Sequence, residues 1–239
     1  MDSLSTLQKW IRESDNIVFF GGAGVSTESG LKDFRSVDGL YHEKFDYPPE
    51  EILSHSFFFA HPAYFYNFYR EKMLCPEARP NRAHKALAEL EKQGKLKAVI
   101  TQNIDGLHQM AGSQTVYELH GSVHRNYCMQ CRAFYDADRI LASQGVPKCT
   151  CGGTIKPDVV LYEEGLDDAC INGAVNAIAN ADVLIVGGTS LTVYPAAGFL
   201  RYYRGHKLVL INRDETPYDA SADLIFRDSI GEVLSKVCE

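Results

Sequence analysis

Ile17-Val-Phe-Phe-Gly-Gly-Ala-Gly-Val-Ser26 is the stretch whose reading decides the fold. Ile17 to Phe20 are apolar without alternation, the pattern of a strand buried on both faces of a parallel sheet. Gly21, Gly22 and Gly24 follow at once. A strand that runs into a glycine-rich turn and then a helix brings backbone N–H groups close to an anion such as a pyrophosphate.

Outward from this segment the same kind of run recurs. Ala98-Val-Ile-Thr101, Val116-Tyr-Glu-Leu119, Val183-Leu-Ile-Val186, Leu208-Val-Leu-Ile211 and Leu224-Ile-Phe226 predict five further strands. Leu4, Leu7 and Ile11 mark one face of an opening helix. Asn81 is placed to cap a helix carrying Ala83, Ala86, Leu87 and Leu90 that stops at Gly94, and Ala196 to Arg204 reads as another, ended by Gly205. Strands alternating with helices imply a doubly wound α/β sheet.

The chain has 239 residues, 45% of them apolar and 23% charged, which excludes general disorder and fibrous classes. Its length fits one large domain with a smaller insert. Two stretches break the alternating rhythm: 37–75, rich in Tyr, Phe, His and Pro, and 122–154, which holds a cysteine cluster. The expected division is a Rossmann-like nucleotide-binding domain from 1–36, 76–121 and 155–239, with 37–75 as helical insert and 122–154 as a zinc ribbon, together forming the smaller lobe. No apolar run reaches the ~18 residues of a membrane span, and Met1 to Arg12 is too charged for a secretory signal. A net charge of −7 argues against bulk affinity for nucleic acid or acidic lipid, though not against a short basic peptide. Seven cysteines without an export signal read as cytoplasmic thiols.

The polar motifs are informative by position. Gly21 to Ser26 follows the first strand, Gln102-Asn-Ile-Asp105 the second, His120-Gly121 the third, Gly187-Gly-Thr-Ser190 the fourth and Asn212-Arg-Asp214 the fifth. Carboxyl ends of parallel strands line one rim, where ligands bind. Turn chemistry accounts for any one of these motifs more easily than for the set. The glycine loop is not the ordinary dehydrogenase fingerprint. Thr27 stands where a third glycine belongs, and no acidic residue closes a second strand ~20 residues on. Thr189, Ser190 and Asn212 suit the adenosine half of a dinucleotide. His120 suits proton exchange near neutral pH, with His108 and His124 as rivals. Asn103 and Asp105 bring an amide and a carboxylate to the same rim; the plain alternative for Asp105 is a helix cap.

Cys128-x2-Cys131, a gap of 132–148, then Cys149-x-Cys151 has the donor set of a four-sulfur structural zinc site. The one-residue spacer of the second pair departs from the usual two, and Gly152-Gly153 would supply the freedom it needs. A metal-free thiol cluster, or His124 in place of one cysteine, remains the alternative.

From Ile17 to Val233 the chain resembles the sirtuins, NAD-dependent protein lysine deacylases, in particular the bacterial and archaeal branch. The resemblance rests on Gly22-Ala-Gly-Val-Ser26, Ser29-Gly30, Asp33-Phe-Arg35, Thr101 to Asp105, His120-Gly121, the four cysteines, Pro157-Asp-Val-Val160, Gly188-Thr-Ser190 and Asn212. It implies that NAD is consumed: an acyl-lysine carbonyl oxygen attacks the nicotinamide-bearing ribose carbon, and nicotinamide leaves. His120 is then implied as general base on a ribose hydroxyl that takes the acyl group, yielding free lysine and O-acyl-ADP-ribose. By the same resemblance Asn103 orders a water or ribose hydroxyl, and Ile104 and Asp105 hold the carboxamide. Phe34 shields the ribose carbon, and Arg35 and Gln102 position phosphate and ribose. Gly22, Ala23, Gly24 and Thr27 contact the dinucleotide, with Gly188, Thr189, Ser190, Asn212 and Ile230 around the adenosine. Val159 and Val160 offer backbone groups to an extended peptide.

Relatives that prefer succinyl or malonyl lysine resemble one another in a Tyr-x-x-Arg pair. Here the run is Tyr69-x-x-Lys72, which implies acetyl or other uncharged acyl groups. Desuccinylase or demalonylase specificity, and transfer of ADP-ribose to protein on the same fold, are the alternatives. A hydride-transferring oxidoreductase lacks its third glycine and acidic strand end. A zinc-ribbon nucleic-acid module has only the thin stripe of Arg125, Arg132, Arg139 and Lys148. The acidic loop from Glu163 to Leu166 is expected to attract basic substrate sequences.

Overall fold

The protein is described by a computed structural model over residues 2–33 and 39–238. Among the described residues nine strands are present: β1 (Ile17–Gly21), β2 (Leu96–Thr101), β3 (Val116–Glu118), β4 (Gly121–Cys128), β5 (Phe134–Tyr135), β6 (Ile155–Val159), β7 (Val183–Gly187), β8 (Leu208–Ile211) and β9 (Leu224–Phe226). All six strands expected from the sequence form one parallel sheet in the order β3-β2-β1-β7-β8-β9. β4, β5 and β6 form a separate antiparallel sheet, ordered β5-β4-β6.

The absence of alternation in the strand sequences has a direct cause. Ile17, Phe19, Val183, Ile185, Val209 and Ile211 point into one apolar cluster. Val18, Phe20, Leu184, Val186, Leu208 and Leu210 point into another on the opposite face. Successive side chains leave a strand on opposite sides, so a sheet covered on both faces needs apolar residues at every position.

The helices are α1 (Ser3–Glu13), α2 (Pro49–Ile52), α3 (His55–Ala60), α4 (Pro62–Phe68), α5 (Arg82–Lys92), α6 (Leu107–Ala111), α7 (Ala137–Leu141), α8 (Asp168–Asn180) and α9 (Ile230–Cys238). Asn81 caps α5 by accepting from the N–H groups of Ala83 and His84, while His84 Nδ1 accepts from the Asn81 N–H. Two expected helices are different. The glycine loop leads into two short 3₁₀ turns, Ala23–Val25 and Thr27–Ser29, and not into an α-helix. Ala196–Tyr202 is also 3₁₀, with Gly198 N–H bonded to the Pro195 carbonyl and Tyr203 N–H to that of Leu200.

A third apolar cluster joins the helical insert to the ribbon. Phe58, Phe65, Tyr66 and Tyr69 from the insert pack with Val123, Cys128, Ile140, Ile155, Val159 and Leu161. The Tyr66 hydroxyl donates to the Ile155 carbonyl. Helices α2 to α4 and the cysteine-bearing sheet, remote in the chain, therefore share one apolar cluster, to which β6 contributes Ile155 and Val159. No helix among the described residues is long and apolar enough to cross a membrane.

Candidate active site and zinc centre

In the strand order the chain winds outward in opposite directions from the β1–β7 pair, so their carboxyl ends open the crevice that such sheets use for ligands. The glycine loops after β1 and β7 meet there. Gly24 N–H donates to the Gly188 carbonyl at 2.8 Å, and Gly22 N–H to that of Gly187 at 3.3 Å. A Cβ on Gly24 would stand 2.7 Å from the Gly188 Cα, and Gly188 itself has φ +60°. These glycines are required by loop-on-loop contact. That corrects the expectation that their own N–H groups face a pyrophosphate, since those of Gly22 and Gly24 are already engaged.

Three other motifs join the same rim through side chains. Ser26 Oγ donates to Asp105 Oδ2 at 2.7 Å and accepts from Asn103 Nδ2 at 3.0 Å. Asp105 Oδ1 accepts from the Leu107 N–H at 2.9 Å. Its carboxylate thus closes the turn into α6 and ties that turn to Ser26. Gln102 Nε2 donates to Thr189 Oγ1 at 3.0 Å, and Thr189 N–H donates to Asn212 Oδ1 at 3.0 Å. Ser190 is exposed, its hydroxyl 2.8 Å from that of Thr192. Thr27 Oγ1 donates to the Gly24 carbonyl, and Ile230 is buried against Gly187. Phe34 and Arg35 lie outside the described residues.

His120 Nδ1 lies 2.9 Å from the Gln102 carbonyl. A carbonyl only accepts, so Nδ1 carries the proton and Nε2 keeps its lone pair. Burial lowers the imidazole pKa and the Gln102 hydrogen bond opposes this. The ring is therefore neutral at pH 7, with a basic nitrogen to spare. Its rivals have other work. His124 Nε2 donates to the Asp105 carbonyl at 2.9 Å. His108 is buried against His84 and Phe19.

Sequence reasoning passed over Ser26 as a site residue, although it is buried and bridges Asn103 to Asp105. The available signal was a small polar residue closing a glycine loop. Val159 and Val160 line a groove of about 820 Å³ between β3, β4, β6 and the start of α8. Val160 N–H donates to the His120 carbonyl at 3.0 Å, so this donor is already used. The loop from Glu163 to Leu166 is not a free acidic lure. Glu163 binds the N–H and hydroxyl of Ser56, and Glu164 binds His55, Lys156 and the Leu161 N–H.

Cys128, Cys131, Cys149 and Cys151 bring their four Sγ atoms within 4.8 Å of one another. Backbone N–H groups of Gln130 and Cys131 point at Cys128 Sγ, and that of Cys151 at Cys149 Sγ. Tyr135 donates its hydroxyl to Cys149 Sγ at 3.0 Å, which with the Cys151 N–H pushes that thiol down to about 5. Gly152, at φ +89°, accommodates the short spacer. Four converging sulfurs, two of them met by backbone N–H groups, fit one tetrahedral zinc with no open position, a structural ion. His124 is not among the ligands.

The Sir2 family pattern matches residues 22–195. The chain belongs to the Sir2 family. This Sir2-family chain is 62% identical to the NAD-dependent protein deacetylase of Clostridium perfringens, over 100% of the chain and 99% of that relative. It matches a solved structure of Sir2 with a p53 peptide and NAD+ at TM-score 0.86 and 39% identity, covering 99% of this chain and 97% of the other. A complex of Sir2 with an inhibitor, 2'-O-acetyl-ADP-ribose and a deacetylated p53 peptide matches at TM-score 0.85 and 38% identity, covering 98% and 96%.

Proposed function

We propose that this chain is an NAD-dependent protein lysine deacetylase, in which acyl-lysine, NAD and water become lysine, nicotinamide and O-acyl-ADP-ribose. The observation that carries the reading is His120. Its Nδ1 proton is fixed on the Gln102 carbonyl, which leaves Nε2 as a neutral base on the rim shared by Gln102, Asn103, Ser26 and Asp105. NAD supplies an electrophilic ribose carbon and the hydroxyl that finally carries the acyl group.

The chain's own residues do the rest. His120 Nε2 takes the proton from that hydroxyl as it attacks the acyl carbon. Asn103 and Asp105, joined through Ser26, present an amide and a carboxylate to the ribose and carboxamide. Ile104 stands beside them, its carbonyl accepting from the Val123 N–H. Gln102 holds the ribose side and its Nε2 donates to Thr189 on the adenosine side, with Phe34 and Arg35 assigned by resemblance alone. Gly22, Ala23, Gly24, Thr27, Gly188, Ser190, Asn212 and Ile230 surround the phosphates and adenosine. An extended acyl-lysine peptide lies along Val159 and Val160 in the groove between the lobes.

The acyl group is small and uncharged. Lys72, the cation nearest in sequence to a charged-acyl pattern, is held by Glu43 at 2.8 Å and Glu71 at 3.2 Å. None of the seven cysteines is joined in a disulfide, and four of them converge as a metal site, a usage that supports work in the cytoplasm. The division into lobes keeps 1–36, 76–121 and 155–239 as the NAD-binding domain around 37–75 and 122–154. Its acidic net charge supports neither nucleic acid nor membrane as partner.

Incubation with NAD and an acetyl-lysine peptide tests this. Nicotinamide, free lysine peptide and acetyl-ADP-ribose should appear in equal amounts, read by mass. His120→Ala should lower turnover by about 10²- to 10⁴-fold. Reduced NAD without nicotinamide release, or wild-type turnover in that variant, refutes the reading.

A further inference from the structure

We propose that Arg125 is a positioning residue of the reaction: carried on a bulge in β4, it clamps the strand end that bears His120 to the strand end that bears Val159 and Val160. The inference rests on His120 being the general base.

The backbone sets up the clamp. β4 pairs with β6 as Gly121 to Val159 and Ser122 to Asp158, and then slips, so that Asn126 is the next residue paired, with Pro157. Val123, His124 and Arg125 are looped out of this ladder. Bulges of this kind re-aim side chains and are frequent beside active sites. Here all three looped-out residues grip the rim. Val123 N–H donates to the Ile104 carbonyl at 3.0 Å, and His124 Nε2 to the Asp105 carbonyl at 2.9 Å. Arg125 spans the remaining two segments: Nη1 meets Glu118 Oε2 at 2.6 Å and Nε meets Asp158 Oδ2 at 2.7 Å.

The partners are significant for where they sit. Glu118 is the last residue of β3, two before His120, and its side chain is only 9% exposed. A carboxylate that deep is costly unless a cation meets it. Asp158 immediately precedes Val159 in β6. At the same crossing Gly121, with φ +74°, leaves no room for a Cβ against the Asp158 carbonyl. The junction is tight, and a rigid guanidinium fork bridges it where a point charge would not reach both acids. Moving either segment shifts Nε2 of His120 relative to a peptide on the β6 edge. It leaves the glycine loops that hold the dinucleotide untouched.

The two chemical stages separate this role from general stability. Exchange of labelled nicotinamide into NAD, with acetyl peptide present, reports the ribose–nicotinamide bond breaking and reforming before His120 acts. Formation of free lysine peptide reports the stage that needs His120. Arg125→Met should keep exchange and the KM for NAD within about 2-fold, lower peptide formation by about 10- to 100-fold and raise the KM for peptide, the scale expected for a reacting group displaced by about 1 Å. Glu118→Gln combined with Arg125→Met leaves no stranded buried carboxylate, so it folds even where the single variant does not, and should show the same split. Unchanged peptide formation, or equal loss of both stages, overturns the clamp. A wild-type protein that exchanges no nicotinamide overturns the reaction on which the clamp depends.

Discussion

The two lobes of this protein are stabilised by different means. The large lobe places a parallel sheet between two apolar layers, and every central strand is buried on both faces. The small lobe has a two-residue strand, short helices and a single apolar cluster, closed at one end by four sulfurs. A body that small rarely supplies a sufficient core by itself, and metal ligation is a common supplement. Packing alone holds the parallel sheet, whereas in the ribbon four sulfurs supplement a thinner core.

The most severe way to break the comparison is at the metal. Cys128→Ser should abolish stoichiometric zinc and unfold the ribbon, because binding of structural zinc is worth about 10–16 kcal/mol in zinc-finger peptides. Trp10, the single tryptophan, packs against the large-lobe core on α1 and should keep its native fluorescence. Zinc measured at one ion per chain in that variant would sink the assignment. The converse substitution is Leu87→Ala, at a fully buried position on α5. It should cost about 2–5 kcal/mol in denaturant unfolding followed at Trp10, with zinc content unchanged.

The same contrast explains what was legible in the sequence. Both-face burial writes itself as unbroken apolar runs, so β1, β7 and β8 could be read from that pattern alone, and the flanking strands from their β-rich composition. The four cysteines could be read because metal geometry imposes short spacings. The joins could not. Ser26 meets Asp105 across 79 positions, and Arg125 meets Asp158 across 33, with no periodicity to announce either. The reason for the glycines was also hidden: a loop meeting another loop and a loop meeting a phosphate demand the same residue. Glu163 and Glu164 looked like bait for basic peptides because their partners, Ser56, His55 and Lys156, are only assembled by the fold.

Acid sharpens the comparison further, since each lobe has its own titrating groups. His108 is buried, with its pKa pushed down to about 3 by burial and by neighbouring His84. His84 is lowered mainly by burial, against the opposing pull of Asp105 and Glu28. Both rings take up protons more readily unfolded than folded. Large-lobe stability should therefore fall as pH drops from about 6.5 towards 3, by a few kcal/mol in total. Unfolding followed at Trp10 between pH 7.5 and 5 checks this. His108→Phe, which keeps the ring volume, should flatten the slope; an unchanged slope would show that the buried pair does not carry it.

The smallest effects compare one helix cap from each lobe. Ser54 accepts from the Phe57 N–H at 3.1 Å and starts α3 in the small lobe. Ser54→Ala should cost about 1 kcal/mol, the usual worth of such a cap, and leave NAD affinity alone. Asn81 caps α5 in the same way, but its Nδ2 also donates to the Val25 carbonyl at 2.7 Å and to Ser29 Oγ at 3.0 Å, both on the glycine-loop segment. Asn81→Ala removes the cap and those two tethers together. It should cost more than its small-lobe counterpart and weaken NAD binding several-fold by calorimetry. Equal stability losses, with NAD affinity unchanged in both variants, would show that the cofactor loop is held by its contact with Gly188 and owes nothing to α5.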